Sequence, residues 1–334
     1  MPPPPRHFFE DSKPRNSDRK PSPSRDLQMI PNIKNLTIRS KMLSAMREWF
    51  ENKDFIEVET PVRIAAPAPE PHIDCPRSGK AWLRASPELQ MKRLVAAGMD
   101  KIYQIGPCFR DGECGSRHNP EFTMLEWYRA GAGCDDILDD TVSLLRHIAS
   151  ALPNGGTVSH NGYNASLSDK WEKISVKDAF LRWAGWDPTK DFEQDKFDED
   201  MALKVEPALP KDIPCVLYDY PAPAASLARL RPNDPTVAER WELYICGIEI
   251  ANAYGELANG AEQRQRFELA RAERQKLGED DYPFDELFLR DLESGAFPAC
   301  GGIAVGIDRL AMLFTAASSI SEVRSFCQAP GELI

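Results

Sequence analysis

Three stretches of this chain place arginines, carboxylates and aromatic rings at spacings that could do chemistry. The first is "FRDGECGSRHNPEFTMLEWY", residues 109–128. In an extended strand alternate residues share a face. Phe122, Met124, Glu126 and Tyr128 therefore face one way, and Leu125 and Trp127 face the other with Glu121, Thr123 and Arg129. A ring, a carboxylate and a phenol together suit a pocket that stacks a planar group and grips a cation. The same alternation also suits an amphipathic hairpin with a solvated charged side. Arg110 ends the preceding strand and falls near that face.

The second stretch is "GIEIANAYGEL", with Glu249, Asn252 and Glu256 among apolar neighbours. Two carboxylates and an amide on a bent strand could hold Mg²⁺ through hard oxygens, with Glu249 and Glu256 as ligands. They could equally hold a substrate ammonium, or be solvated surface groups, since glutamate is seldom buried. The third is "GGIAVGIDRLAMLF". Its glycines let a backbone approach a ligand closely. Arg309 falls in the first turn of the following helix, where free N–H groups and the helix dipole favour a phosphate. An Asp308–Arg309 pair that merely starts the helix is the plainer reading. The chain has no G-x-x-x-x-G-K-[ST], G-x-G-x-x-G, G-x-S-x-G or H-E-x-x-H, so any nucleotide site uses another solution.

The elements that must position these residues can be read from periodicity. Ile38, Met42, Met46, Trp49 and Phe50 recur at helical spacing. "FIEVETP" alternates before Pro61, as in a strand ending at an edge. "SPELQMKRLVAAG" reads as a helix with Ser86 as N-cap, Pro87 in the first turn and Gly98 at the stop. Helices are expected over 134–150, 174–185, 261–277 and 284–294. Residues 186–212 read as acidic and irregular, and 239–257 as one long strand with a break. Strands in hairpin-like succession with helices between them predict an α+β domain on an antiparallel sheet.

Composition narrows the class. The 334 residues carry a net charge of −11, although the first 27 hold six basic and four acidic groups. An acidic body argues against broad nucleic-acid binding, which rests on neutralising phosphates. Residues 1–27 are Pro- and Ser-rich and predict a disordered tail, leaving 28–334 as the catalytic domain. No apolar run reaches the length of a membrane span, and the eight scattered cysteines read as reduced thiols of a cytoplasmic protein.

Together these stretches resemble the three signature motifs of class II aminoacyl-tRNA synthetases: residues 38–61 the first, 109–129 the second, 301–316 the third. "SPELQMKRL", "HNPEFTMLEWY" and "GIEIANAYGEL" are similar to the lysyl branch. The resemblance covers residues 28–327, except the acidic stretch near 186–212. It is strongest to the stand-alone ligases of that branch, which attach (R)-β-lysine to a lysine of elongation factor P. No OB-fold fits before the first motif, and Ala304 stands where tRNA-charging members carry Gly.

The resemblance implies ATP and Mg²⁺ as cofactors, lysine or β-lysine as substrate, elongation factor P rather than tRNA as acceptor, and a homodimer formed through the first motif. It implies catalytic roles for Arg110, Arg309 and Glu249. ATP would be held by Arg110, Asp111, Gly112, Glu113, His118, Asn119, Phe122, Glu249, Ile250, Gly306 and Arg309. The amino acid would be held by Ser86, Pro87, Glu88, Glu126, Tyr128, Asn252, Glu256 and Ala304. Two departures stand out. The family places its adenine-reading glutamate where this chain has Gly112, with Glu113 one residue later. Asn252-Ala253-Tyr254 replaces Asn-Gly-Phe. A tRNA-charging enzyme and a catalytically silent binding paralogue are the competing readings.

Overall fold

The strand Glu121–Ala130 sits inside the main sheet, and its alternation decides what lies on either side. In the computed structural model, which describes residues 32–153 and 155–327, Leu125 and Trp127 are fully buried in an apolar core. Phe122, Met124, Glu126 and Tyr128 line a cavity instead. The tail expected over residues 1–27 lies outside the described residues.

The sheet has nine strands among the described residues. Its order runs Ile56–Glu57, Lys101–Phe109, Glu121–Ala130, Cys300–Gly306, Ile248–Gly255, Asp234–Ile245, Cys215–Pro221 and Glu172–Ser175, with Leu230–Arg231 pairing alongside Asp234–Ile245. The central pairings are antiparallel, as the sequence predicts. The two edges are parallel: Ile56–Glu57 on Lys101–Phe109, and Glu172–Ser175 on Cys215–Pro221. The fold is α+β.

Helices Ile33–Glu51, Cys134–Ala151 and Ile307–Thr315 cover the dry face. Phe50 stacks on Tyr103 at 4.1 Å and meets Trp127 edge-on at 5.4 Å, the arrangements that ring quadrupoles favour. Asp308 fixes this layer to the sheet. Its carboxylate accepts from Arg39 and Arg324, each at 2.8 Å, and from the Thr123 backbone N–H at 2.8 Å. The opposite face carries helices Glu88–Ala96, Gly260–Leu277 and Glu286–Glu293 around Leu89, Met91, Phe267 and Phe288.

Three expectations need correction. Residues 186–212 are not irregular. Their acidic surface hides Phe197, Met201, Val205 and Leu209, which pack on Phe180 and Leu217. Helical turns over Gln194–Asp200 and Met201–Val205 present those side chains inward. The long broken strand is a hairpin, Asp234–Ile245 and Ile248–Gly255. Cys246 and Gly247 have φ of 52° and 75°, the two positive values that a tight hairpin turn requires. Finally, 172–175 forms the sheet's last strand, and a separate hairpin of Thr157–His160 and Tyr163–Ser166 has no counterpart in the sequence reading.

Trp127 tests this core. Its indole N–H has no hydrogen-bond partner among the described residues, so its contribution is packing. Trp127→Ala should cost about 3–5 kcal/mol of unfolding free energy. Trp127→Phe, which keeps most of the ring, should cost about 1.5 kcal/mol or less in the same denaturant titration.

Candidate active site

The wet face of the sheet opens into a cavity of about 1060 Å³. One end is built from the loop after Lys101–Phe109. Arg110 and Pro120 close this loop by a backbone hydrogen bond of 2.9 Å. The Arg110 guanidinium lies 5.2 Å from the Phe122 ring and 3.5 Å from the Glu113 carboxylate. Its Nε is buried with no hydrogen-bond partner among the described residues. A buried donor atom left unpaired is costly unless something fills it, so the Nε points to an acceptor brought in from outside.

The opposite wall at this end belongs to Arg309. The segment Cys300–Gly306 runs into the helix Ile307–Thr315, which places Arg309 one turn from the strand. Its guanidinium donates to the Glu249 carboxylate at 3.2 Å and carbonyl at 3.1 Å, and meets the His118 ring. Burial and the neighbouring Arg309 charge hold the His118 imidazole below its ordinary range. It is therefore neutral at pH 7 and can accept from Arg309. Ile250 and Gly306 also line this end. Asn119 is buried in the loop, and its side-chain amide donates to the Glu121 carbonyl at 2.6 Å.

The other end concentrates carboxylates. Ser86 both caps and anchors: its hydroxyl accepts from the Glu88 N–H at 2.9 Å and donates to Glu126 at 2.6 Å. Tyr128 donates to the second Glu126 oxygen at 3.0 Å. Burial and the Glu88 charge push Glu126 up to about 7, against the two hydrogen bonds that lower it. Behind them sits Lys92, fully buried and ion-paired to both Glu88 and Glu256. Burial alone would strip its proton, but Glu256 and Glu88 outweigh burial and keep it charged. Ala304 lies in register with both Glu126 and Asn252 and forms the floor between them. At the neighbouring Gly302, any Cβ would collide with the Glu256 carboxylate and the Tyr128 ring.

Most of the sequence-predicted residues therefore converge. Arg110, Glu113, His118, Asn119, Phe122, Glu249, Ile250, Gly306, Arg309, Ser86, Glu88, Glu126, Tyr128, Asn252, Glu256 and Ala304 all line the cavity. Asp111, Gly112 and Pro87 do not. The Asp111 N–H donates to the Asp74 carbonyl at 2.7 Å, which turns this residue away. Gly112 is exposed, with φ of 75° and open space where a Cβ would stand. Glu113 is the carboxylate that reaches inward. Pro87 stands one residue before the helix Glu88–Ala96 and makes no side-chain cap hydrogen bond.

The expected pairing of Glu249 with Glu256 as metal ligands is not supported by their placement. Seven residues of strand separate them by about 20 Å, and Glu256 is held by Lys92. The carboxylate that approaches Glu249 is Glu242, which the sequence reading missed. The hairpin sets Tyr244 opposite Glu249 and Glu242 opposite Asn252, with a bulge at the crossing. That bulge turns Glu249 onto the cavity side. Burial and Glu242 push the Glu249 carboxyl up, and Arg309 pulls it down. The two-residue turn at Cys246–Gly247 was the available signal, since it folds Glu242 back onto Glu249. Among the described residues no group of three His, Cys, Asp or Glu side chains is set to hold a metal. Two carboxylates suffice, however, for a Mg²⁺ that also takes oxygens from a bound phosphate chain. Arg240 was missed as well. It donates to Glu242 at 2.7 Å and to Asn252 at 3.3 Å while stacking 4.2 Å from Tyr220.

Comparison with known proteins agrees with this geometry. Residues 24–330 match the family described as tRNA synthetases class II (D, K and N). The chain belongs to that family. It is 36% identical over 329 residues to the elongation factor P–(R)-β-lysine ligase of Haemophilus influenzae, covering 90% of this chain and 96% of the relative. The same-named protein of Proteus mirabilis is 35% identical over 335 residues, 90% of this chain and 97% of the relative. The lysine–tRNA ligase of Staphylococcus aureus is 36% identical over 314 residues, 86% of this chain but 63% of the relative. No helix among the described residues is long and apolar enough to cross a membrane.

The synthetase cavity carries a stability signature. The folded state keeps a proton on Glu126 up to about pH 7, whereas an unfolded glutamate loses it near 4.3. Unfolding then releases a proton between these values, so stability falls as pH rises from about 4.5 through 7. Glu206, raised to about 7, and Glu256, raised to about 8, act in the same sense, so thermal midpoints of the ligand-free protein should drop across that window and Glu126→Gln should make the slope shallower without abolishing it.

Proposed function

We propose that this synthetase activates lysine or (R)-β-lysine with ATP as an aminoacyl-adenylate and transfers it to a lysine side chain of elongation factor P. The observation that carries the reading is the charge at the amino-acid end. Three carboxylates, Glu88, Glu126 and Glu256, face a single ammonium, Lys92. Glu126 holds a proton up to about pH 7 in the ligand-free fold, and a substrate bearing two ammonium groups supplies the positive charge against which it ionises.

At the nucleotide end, Phe122 stacks on one face of adenine and Arg309 covers the other while reaching the γ-phosphate. To do so Arg309 leaves Glu249. Glu113 reads the adenine edge in place of a residue at 112, with His118 and Asn119 beside it and Ile250 and Gly306 as walls. Glu242 and Glu249 would hold Mg²⁺, which would supply neutralisation of phosphate charge. Arg110 supplies its unpaired Nε and remaining donors to the α-phosphate. Ser86, Glu88, Glu126, Tyr128 and Asn252 orient the amino acid over Ala304, with Glu256 held behind them by Lys92.

The substrate carboxylate is already ionised and needs no general base. Its oxygen attacks the α-phosphorus in line. A P–O bond forms as the bond to the bridging oxygen breaks, and pyrophosphate leaves. An amine of the acceptor then attacks the activated carbonyl, loses a proton and expels AMP. Catalysis is positioning plus charge stabilisation by Arg110 and Arg309.

The acceptor follows from two supports. The chain spans 96% of the β-lysine ligase relative against 63% of the lysine–tRNA ligase, and a net charge of −11 disfavours a polyanionic partner. A homodimer through the helix Ile33–Glu51, whose first residue Ile33 is exposed as is Ile56 beyond its far end, and a cytoplasmic location belong to the same reading.

ATP–pyrophosphate exchange with lysine and (R)-β-lysine is the test. Arg110→Ala should lower exchange about 10²–10³-fold with the fold intact by circular dichroism. Label from the amino acid should reach elongation factor P and not total tRNA. Transfer to tRNA would install the competing lysine–tRNA ligase reading, and no exchange with any amino acid would leave a binding protein.

A further inference from the structure

Glu70 belongs to none of the motifs, yet its carboxylate is carried into the cavity by an unusually well-held loop. Arg274, fully buried in the helix Gly260–Leu277, donates to the Glu70 and Ile73 carbonyls, each at 2.9 Å, and to the Asp74 carboxylate at 2.7 Å. Its Nε donates to the Asp280 carbonyl at 3.0 Å, and its guanidinium lies 4.2 Å from the Tyr282 ring. Tyr282 in turn holds the Cys75 N–H at 2.9 Å. One arginine thus staples two loops together. Such a network is expensive to build unless its geometry is used.

What the staple presents is a half-buried carboxylate with no hydrogen bond or ion pair of its own among the described residues. Glu70 lines the main cavity and also a small recess of about 20 Å³ that it shares with Ser86 and Glu88. Its electrostatic neighbours are Glu88, which raises it beyond the effect of burial, and Arg110, Arg240 and Lys92, which lower it. Arg110 sits toward the phosphate end, Arg240 is taken up by Glu242 and Asn252, and Lys92 is already shared by Glu88 and Glu256. Glu70 therefore stands between the nucleotide end and the deep carboxylates, facing a place where a cation is missing.

We propose that Glu70 is a specificity-determining residue that receives the substrate ammonium nearer the reacting carboxylate, while Glu126 and its neighbours receive the distal one. This rests on the diamino-acid reading of the cavity. The deep group, Glu126, is fully buried with Ser86 and Tyr128, whereas Glu70 borders Arg110, where the substrate carboxylate must lie to reach phosphorus. An ammonium one or two carbons from that carboxylate falls under Glu70.

The test removes charge from each partner in turn. Wild type, Glu70→Gln and Glu70→Asp are compared in ATP–pyrophosphate exchange and by titration calorimetry. The ligands are lysine, (R)-β-lysine and 6-aminohexanoate, which keeps the distal ammonium and lacks the near one. Glu70→Gln should raise KM and Kd for both diamino acids about tenfold, leave KM for ATP within about twofold, and leave 6-aminohexanoate unaffected. Glu70→Asp should recover part of the loss. An equal loss for all three ligands would make Glu70 structural, and no loss would remove it from recognition. Either result overturns the proposal. If wild type binds diamino acids without exchanging, adenylation falls while the calorimetric ratio still decides Glu70. If wild type binds no diamino acid, both the functional reading and the role of Glu70 are lost.

Discussion

A single buried ammonium makes the amino-acid end of this cavity possible. Lys92 lies within contact of Glu88 and Glu256, and without it three carboxylates would share a desolvated space. Like charges at that range cannot all stay ionised. Even beside Lys92, burial and the Glu88 charge keep a proton on Glu126 up to about pH 7, and without Lys92 the Glu88 and Glu256 carboxyls would lose the charge that favours their ionised forms. Lys92 is also a helix residue one turn from Glu88. The helix Glu88–Ala96, packed through Leu89, Met91 and Val95, is thereby tied to the end of the strand Ile248–Gly255. The ion triad carries stability and negative potential in one object. It leaves Glu126 half-neutralised and ready to ionise against an incoming cation.

Much of the site was legible because strand alternation is a rigid rule. Phe122, Glu126 and Tyr128 share the cavity face, and Leu125 and Trp127 share the core, as period two demands. Arg309 after a glycine-rich strand was legible for a similar reason, since strand and helix geometry fix its place. Glu256 was placed in the right cavity but given a partner that its placement does not support. Spacing along one strand cannot reveal that a lysine 164 positions earlier in the sequence closes on it. Glu242 needed the turn at Cys246–Gly247 to be recognised first. Missing that turn made one strand of two and hid the carboxylate pair.

The stretch 186–212 failed for another reason. Its charges dominate the composition, while Phe197, Met201, Val205 and Leu209 are spaced across two different helical windings. No single period describes them, so periodicity returned noise. Glu70 was illegible in principle. Its loop takes its shape from Arg274, far along the chain and inside a helix that reads as solvated on composition. Tertiary staples of this kind leave no local trace.

The strand Cys300–Gly306 holds two floor positions with opposite tolerance. Gly302 lies under Tyr128 and Glu256, where even one methyl collides. Ala304, two residues on, lies open to the cavity between Glu126 and Asn252. Sequence drift in a lineage of such enzymes can therefore reshape the middle of the cavity but not its deep end. On the proposed reading, the reach of the bound chain depends on the position where a methyl collides, and its shape midway depends on the one that is open. New substrates for this scaffold should differ along the middle of their chain and keep the same reach to the distal cation.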